Sequence, residues 1–169
     1  VCTQLTTQRI VAALNKPLDR LGTTQLLNAV SSKNINKVRQ LIDQGAAVNH
    51  GRTHDGTTPL YLAAGGGHTK MVSLLLENGA AVNQTRTDIG ATPLYFAAGQ
   101  GHTEVVSLLI DSGAIVNQAN TDDGATSLFI ASQHGHNNIV TLLVECGADT
   151  NQCMLRIGWS PLFVAAWSG

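Results

Sequence analysis

Hydrophobic residues recur along this chain in two short helical patterns that alternate with polar loops. The first pattern places Leu60, Ala63 and Ala64 on one side of a helix. It follows a threonine and a proline, which favour a helix start because the hydroxyl caps free N–H groups and proline needs no donor there. The second pattern places Val72 and Leu75 on one side and stops at a glycine, which suits a helix end. The chain is therefore predicted to consist of pairs of short helices joined by polar loops.

This pair of patterns repeats every 34 residues. Glycine, leucine, alanine and asparagine residues each recur in fixed columns. The columns include Gly22, Gly56, Gly90, Gly124 and Gly158; Leu26, Leu60, Leu94, Leu128 and Leu162; Ala29, Ala63, Ala97, Ala131 and Ala165; and Asn49, Asn83, Asn117 and Asn151. A unit of this size cannot bury its own apolar face, so each unit is predicted to stack on the next. We expect the asparagine column to anchor loop backbone.

Within this period, residues 58–64 read Thr-Pro-Leu-Tyr-Leu-Ala-Ala, residues 67–68 Gly-His and residues 79–83 Gly-Ala-Ala-Val-Asn. These segments resemble the ankyrin repeat, and the resemblance runs from about Gly22 to Gly169. It implies an all-α solenoid of paired antiparallel helices with hairpin-like loops. The period departs from the family by being 34 rather than about 33 residues long, with the extra residue in the exposed loop.

The histidine that usually follows Thr-Pro-Leu in the family is also replaced. Its position is taken by Leu27, Tyr61, Tyr95, Phe129 and Phe163. We expect apolar or aromatic packing there in place of the hydrogen bond of the histidine.

The period divides the chain into an N-terminal capping helix within residues 1–21 and a repeat domain over residues 22–169. We predict the capping helix over Gln4 to Asn15. The repeats cover residues 22–55, 56–89, 90–123, 124–157 and 158–169. In the first repeat, Lys37 and Gln40 replace apolar residues, as a solvent-facing terminal repeat requires. The last repeat is incomplete and leaves its leucine and phenylalanine short of partners. Either the native chain continues or the first helix of this repeat is a blunt end, and Val1 in place of Met indicates a chain cut from a longer one.

Composition adds a charge asymmetry and excludes several classes of protein. Hydrophobic residues make up 43% of the chain, as in globular proteins, and the net charge of −1 gives no uniform basic footprint for nucleic acid. Residues 1–84 carry eight Lys/Arg and four Asp/Glu, whereas residues 85–169 carry two and seven. No apolar run approaches the roughly 20 residues of a membrane span. Three cysteines without metal-motif spacing favour a reducing interior. We expect a monomer that is cytoplasmic or delivered into a host cytoplasm.

The sequence contains no motif that is typical of catalysis or cofactor binding. No nucleophile elbow, phosphate-binding glycine loop or zinc-protease signature is present. His68, His102 and His136 recur once per repeat, and the resemblance implies that they tie neighbouring loops by hydrogen bonds. Cys146 and Cys153, with two histidines nearby in sequence, leave a fortuitous zinc site as the alternative. The interpretation is a chain without enzyme activity, cofactor or metal.

Positions that the repeat leaves free to vary are the candidate binding residues. In the ankyrin family such positions line a concave face that binds partners, and they occupy the hairpin tips and the ends of the first helices. The candidates are Arg52, His54, Arg86, Asp88, Gln100, Asp122, Asp123, Gln133, His134, Arg156, Trp159 and Trp167. Because tryptophan and arginine are enriched among interface anchors, the predicted hot spot joins both tryptophans with His134 and Arg156.

The candidate groove is expected to be shallow and open at Gly65, Gly66 and Gly99, which suits an extended peptide or loop. We expect the acidic side of a partner segment to face Arg52 and Arg86, and its basic or aromatic side to face the paired aspartates and the tryptophans. An equally supported alternative is that the tryptophans cover an adjoining segment. A cage for methylated lysine is a narrower variant of partner binding.

The resemblance therefore implies a protein-binding scaffold or adaptor that holds a partner protein or peptide on its concave face without catalysis. The alternative is the targeting module of a larger enzyme, for example a bacterial effector with a catalytic domain outside this chain. We expect no nucleic-acid partner and no membrane-spanning segment.

Overall fold

The computed structural model describes residues 2–155 and 158–168, and the side chains of residues 7–155 and 158–167. Within these ranges every regular secondary-structure element is a helix, in agreement with the all-α expectation. The helices are α1 (Cys2–Leu14), α2 (Gln25–Ser31), α3 (Ile35–Asp43), α4 (Pro59–Gly65), α5 (Thr69–Glu77), α6 (Pro93–Gly99), α7 (Thr103–Asp111), α8 (Ser127–Gln133), α9 (Asn137–Glu145) and α10 (Pro161–Ser168). None of them is both long and apolar enough to cross a membrane.

The first helix of each complete repeat, α2, α4, α6 and α8, begins after a threonine that caps it. The threonine hydroxyl accepts a hydrogen bond from the backbone N–H three residues on, as the sequence predicts. The capping residues are Thr24, Thr58, Thr92 and Thr126, with N···O distances of 3.0–3.3 Å. The N-terminal α1 begins at Cys2, two residues before its predicted start.

Neighbouring repeats pack first helix against first helix and second helix against second helix. Contacts join α2 to α4, α4 to α6, α6 to α8 and α8 to α10, and they also join α5 to α7 and α7 to α9. The repeated leucines are buried at these contacts. In the first helices they are Leu26, Leu60, Leu94 and Leu128, and in the second helices Leu41, Leu75, Leu109 and Leu143. One continuous apolar cluster runs from Leu14 to Ala148, which confirms the predicted solenoid.

An asparagine near the end of each of the first three repeats is hydrogen-bonded to the next repeat. The Asn83 Oδ1 accepts from the Ile115 N–H at 2.9 Å, and the Asn83 Nδ2 donates to the Gly113 carbonyl at 3.0 Å. Asn49 and Asn117 make the same two bonds to the repeats that follow them. We call this pair of bonds the asparagine staple. The expectation that the column anchors loop backbone is confirmed for Asn49, Asn83 and Asn117, and the bonds link separate repeats.

The α10 helix shows what these contacts contribute, because no second helix packs against it in the described part of the chain. Leu162 on α10 is 69% exposed, whereas its counterparts in α4, α6 and α8 are 1–2% exposed. The other side of α10 packs on α8 through Val164, which lies against Phe129. The expectation that Leu162 and Phe163 are short of partners is confirmed.

Replacing Asn83 by alanine should lower the free energy of unfolding by about 1–2 kcal/mol, because the Ile115 N–H and the Gly113 carbonyl lose their partners in the previous repeat. Urea denaturation followed by circular dichroism measures this change. Asn138→Ala, at an exposed position on α9, is the matched control and should change the free energy by less than about 0.5 kcal/mol. Equal destabilisation by the two substitutions would contradict the staple.

Candidate functional site

The hairpin loops between repeats form a hydrogen-bonded row. Each loop is closed by a bond across its base, for example from the Arg86 N–H to the Ala91 carbonyl at 2.9 Å. Each loop is also bonded to the one before it, from the Thr87 N–H to the Asp55 carbonyl and from the Thr121 N–H to the Ile89 carbonyl, both at 2.9 Å. We call the surface formed by these loops and the adjoining side of the first helices the loop face.

Among the candidate residues predicted from sequence, five form three groups. Arg86 and Asp88 are in direct contact, His134 bonds the previous repeat, and Trp159 and Trp167 flank a common aromatic ring. The remaining described candidates are loop or helix-end residues: Arg52, His54, Gln100, Asp122, Asp123 and Gln133. Arg156 lies outside the described residues.

Arg86 lies at the centre of the first group. Its guanidinium makes two bonds to the Asp88 carboxylate, at 3.0 and 2.5 Å, and an ion pair with Asp55 at 3.3 Å. The guanidinium carbon also lies 5.6 Å from the centre of the Tyr61 ring, within range of a cation–π interaction. Tyr61 in turn stacks on Phe96 of the next repeat at 4.7 Å between ring centres. Arg86 therefore joins two repeats.

These contacts shift the pKa values of Arg86, Asp88 and Asp55. The hydrogen bonds with Asp88 raise the pKa of Arg86, and the same bonds lower the pKa of Asp88. Burial acts to raise the pKa of Asp55, but hydrogen bonds from Thr57 and the charges of Arg86 and His54 together hold this pKa below its ordinary value. The cluster is fully charged at neutral pH.

The Arg86 cluster changes the expected polarity of the groove. An acidic partner segment was expected to face Arg52 and Arg86, but two carboxylates already neutralise Arg86. Arg52 is partly buried, and its Nε makes no hydrogen bond within the described part of the chain. The basic half of the groove is therefore weaker than the sequence indicates.

The histidines hold the ends of the first helices. His102 Nε2 is 3.0 Å from the Gly65 carbonyl, and His136 Nε2 is 3.1 Å from the Gly99 carbonyl, which confirms the predicted ties for these two residues. His134 Nδ1 lies 2.8 Å from the same Gly99 carbonyl. Because a carbonyl only accepts, both rings donate to it, and the His134 side chain is oriented by its own protein.

The expected open floor is wrong at Gly65 and Gly99. A Cβ atom at Gly65 would collide with the Phe96 ring, and one at Gly99 would lie 3.0 Å from Ile130. Side chains of the next repeat therefore fill the space over these two glycines. At Gly66 a Cβ atom would lie 2.7 Å from the His68 ring. Gly65 and Gly99 therefore permit close packing between repeats, whereas Gly66 is exposed and its neighbour His68 belongs to its own repeat.

The tryptophans belong to a row of three aromatic rings. Trp159 and Phe163 have ring centres 5.1 Å apart, and Phe163 and Trp167 have ring centres 6.4 Å apart. The exposed fractions of the three side chains are 40%, 45% and 76%. We call these residues the aromatic row. Phe163 was not among the candidates, although its spacing of four residues from each tryptophan was a signal for it.

Trp159 belongs to a column whose members in the second, third and fourth repeats are buried. Its column was expected to be free of packing constraints, but Thr57, Ala91 and Ala125 in the same column are at most 2% exposed. The column is thus a buried position within the stack, and it accepts a large ring only in the last described repeat. Asn120, in the loop before α8, is also buried, with its Oδ1 accepting two backbone bonds.

The described side chains include no group of three His, Cys, Asp or Glu residues that could hold a metal ion. Cys146 and Cys153 are both exposed free thiols.

Comparison with known proteins identifies the repeat. A family model described as ankyrin repeats matches three segments, residues 3–86, 83–153 and 117–169, which together span nearly the whole chain. No curated protein matches the sequence.

Replacing Arg86 by glutamine should destabilise the fold by about 1–2 kcal/mol at pH 7, because buried Asp55 loses its cationic partner. The lowered pKa of Asp55 means that this stabilisation is present above the unfolded pKa of about 4 and is lost as the pH falls through the folded pKa. Urea denaturation at several pH values should therefore show the two proteins converging below about pH 4. Arg39→Gln, an exposed change on α3, is the control, and a loss in Arg86→Gln that is independent of pH would contradict the ion pair.

Proposed function

The chain belongs to the ankyrin repeat family, and from this premise we propose that it binds a partner polypeptide on its loop face. Ankyrin repeats are generally protein–protein interaction modules. The loop face would correspond to the concave face that binds partners in that family. The binding residues in this proposal are the described candidates on the loop face, together with Phe163.

The aromatic row is the observation that carries the proposal. Trp159, Phe163 and Trp167 are large apolar side chains, all at least 40% exposed, and they lie side by side. Tryptophan and other aromatic side chains dominate the energetics of interfaces because each buries a large area and loses few rotamers on binding. A contiguous exposed patch of this kind is typical of an interaction site.

The polar surroundings of the aromatic row supply the second element of an interface. The loops beside it carry Asp122 and Asp123, and the end of α8 carries Gln133 and His134. Anchors of this type give affinity, and a polar rim gives specificity. Bonds between successive loops hold this surface before any partner arrives, so little ordering entropy is lost on binding.

The proposed activity is recognition without catalysis. The ankyrin repeat family is typically non-catalytic. Arg86 joins its own repeat to the previous one through Asp55, and Asp88 of its own loop holds the guanidinium, so this polar cluster supports the surface.

Replacing Trp159 and Trp167 together by alanine should weaken partner capture at least tenfold, since two interface anchors of about 1 kcal/mol or more each are removed. Immobilised protein and cell lysate, with captured proteins identified by mass spectrometry, measure this loss. The control is the pair Ile115→Ala and Val144→Ala, which removes apolar side chains that are similarly exposed but lie away from the aromatic row.

Partners that are lost with the tryptophan variant and retained with the control variant support the proposal. Circular dichroism must show that all three proteins are equally folded. Capture of the same proteins by the tryptophan variant and by the unaltered chain would exclude the aromatic row as the anchor.

A further inference from the structure

A cavity lies beside the turn between the two helices of a repeat, and it recurs in three successive repeats. The same columns of the repeat line it each time, among them the histidine column and the first residues of the second helices. The first of the three has a volume of about 440 Å³, within the roughly 300–1,000 Å³ that is typical of ligand sites. It is lined by Lys33, Ile35, His68, Thr69, Lys70, Met71 and Glu104. We call it the lysine cavity.

Two columns distinguish the lysine cavity from the other two cavities. It has lysine in both of them, at Lys33 and Lys70. The equivalent residues are Gly67 and Glu104 in the second cavity, and Gly101 and Asn138 in the third. The same place in the repeat therefore carries two cationic side chains in the first cavity and none at these columns in the others.

Both lysines are available to a ligand. They are exposed, and neither makes an ion pair or a side-chain hydrogen bond within the described part of the chain. Glu104 is the single carboxylate among the lining residues, and it accepts a hydrogen bond from the Thr69 hydroxyl at 3.2 Å. The lining thus keeps a net positive charge. It lies in the half of the chain where Lys/Arg outnumber Asp/Glu by eight to four, and this field attracts an anionic segment.

Lys33 has a backbone conformation that favours glycine. Its φ angle is 58°, and the same column holds glycines with φ angles of 68–80° in the next three repeats. Because this region is unfavourable for a residue with a side chain, the fold itself gives no reason for a lysine here. The cationic side chain is therefore placed at the cavity against the local preference of the backbone.

His68 differs from the other described histidines of its column. His102 and His136 bond carbonyls of the previous repeat, whereas the His68 ring makes no hydrogen bond with the other described residues. Burial and the nearby charge of Lys33 lower the pKa of His68, so the ring is neutral at pH 7 and has one N–H group to donate. The lysine cavity therefore offers this ring to a ligand in addition to two ammonium groups.

The lysine cavity also has an apolar part. Met71 is buried and Ile35 is partly buried, and both pack on the main core. Ile35 stands where the other two cavities have threonine. Exposed cations beside an apolar wall suit a polypeptide segment in which an acidic residue adjoins an apolar one. A free inorganic anion would leave the apolar part unused.

We propose that the lysine cavity binds an acidic residue of the partner polypeptide, with the carboxylate against Lys33 and Lys70 and a neighbouring apolar side chain against Ile35 and Met71. This inference rests on the proposed function and adds a second contact, in the first repeats, to the aromatic row in the last described repeat. It transfers to two unpaired lysines the acidic contact that the sequence assigned to Arg86.

Small peptides test the site without knowledge of the partner. The probe is N-acetyl-Leu-Glu-amide, titrated into the isotopically labelled chain at constant ionic strength and followed by amide chemical shifts. N-acetyl-Leu-Gln-amide has the same shape without the charge, and N-acetyl-Gly-Glu-amide has the charge without the apolar side chain. Saturable shifts should appear at the amides of Lys33, Thr69 and Lys70, and each control peptide should bind at least about threefold more weakly.

Substitutions in the chain localise the effect. Lys33→Gly introduces the residue that the backbone favours, so it should fold about as stably as the unaltered chain and bind the probe at least about threefold more weakly. Lys70→Gln should weaken binding by a similar factor. Glu104→Gln keeps an acceptor for Thr69 but removes the repelling charge, so it should strengthen binding. Lys37→Gln, an exposed change on α3 outside the cavity, is the matched control and should leave binding unchanged.

Four results would overturn the proposal. They are the absence of saturable shifts, equal binding of the Leu-Gln peptide, unchanged binding in both Lys33→Gly and Lys70→Gln, and an equal loss in Lys37→Gln. The last result would mean that the probe responds only to the overall charge of this half of the chain.

Partner capture separates this inference from the proposed function. Capture that needs the tryptophans but is unchanged by Lys33→Gly and Lys70→Gln would exclude this inference alone. Capture that needs the two lysines but not the tryptophans would exclude the aromatic row as the anchor and support the lysine cavity.

Discussion

Each unit of this protein buries its leucines only against a neighbouring unit, because two short helices have too little surface between them to form a core. Leu162, on a helix that packs on α8 but has neither a second helix nor a following repeat against it in the described part of the chain, is 69% exposed, whereas Leu128 is 2% exposed. The asparagine staple adds directional bonds to the apolar contact, so that each repeat is fixed in register as well as in contact with the next. Architecture and function both follow from this nearest-neighbour coupling.

The same coupling creates a surface on which side chains can change without altering the framework. Arg86 and Asn120 occupy equivalent positions and both begin a loop whose base is closed by the same backbone bond. At the first position a guanidinium lies over a buried tyrosine, and at the second an asparagine stands in a repeat whose tyrosine is partly exposed. A constant scaffold thus presents different chemistry from one repeat to the next, which is the property that a recognition surface requires.

The sequence predicts the repeats, the helix pairs, the threonine caps and the asparagine column because each depends on residues that are close in sequence or on the 34-residue spacing. The contacts of the candidate face are harder to predict because they join different repeats. Arg86 meets Asp55 across 31 positions, and Phe96 covers Gly65 from the following repeat. Neither pair shares a column, so periodicity gives no sign of them. The sequence alone therefore predicts a free arginine and an open glycine, and the packing of successive repeats overturns both expectations.

Hydrogen exchange of the loop amides in the free protein tests most directly whether stacking holds the loop face rigid. The N–H groups of Thr87, Thr121 and Ile115 each bond an acceptor in a different repeat. If the repeats are coupled as described, these amides exchange orders of magnitude more slowly than in an unstructured peptide, with protection close to that of the second helices. Exchange at the unstructured rate, beside helices that remain protected, would show that the loops move independently and would contradict the account.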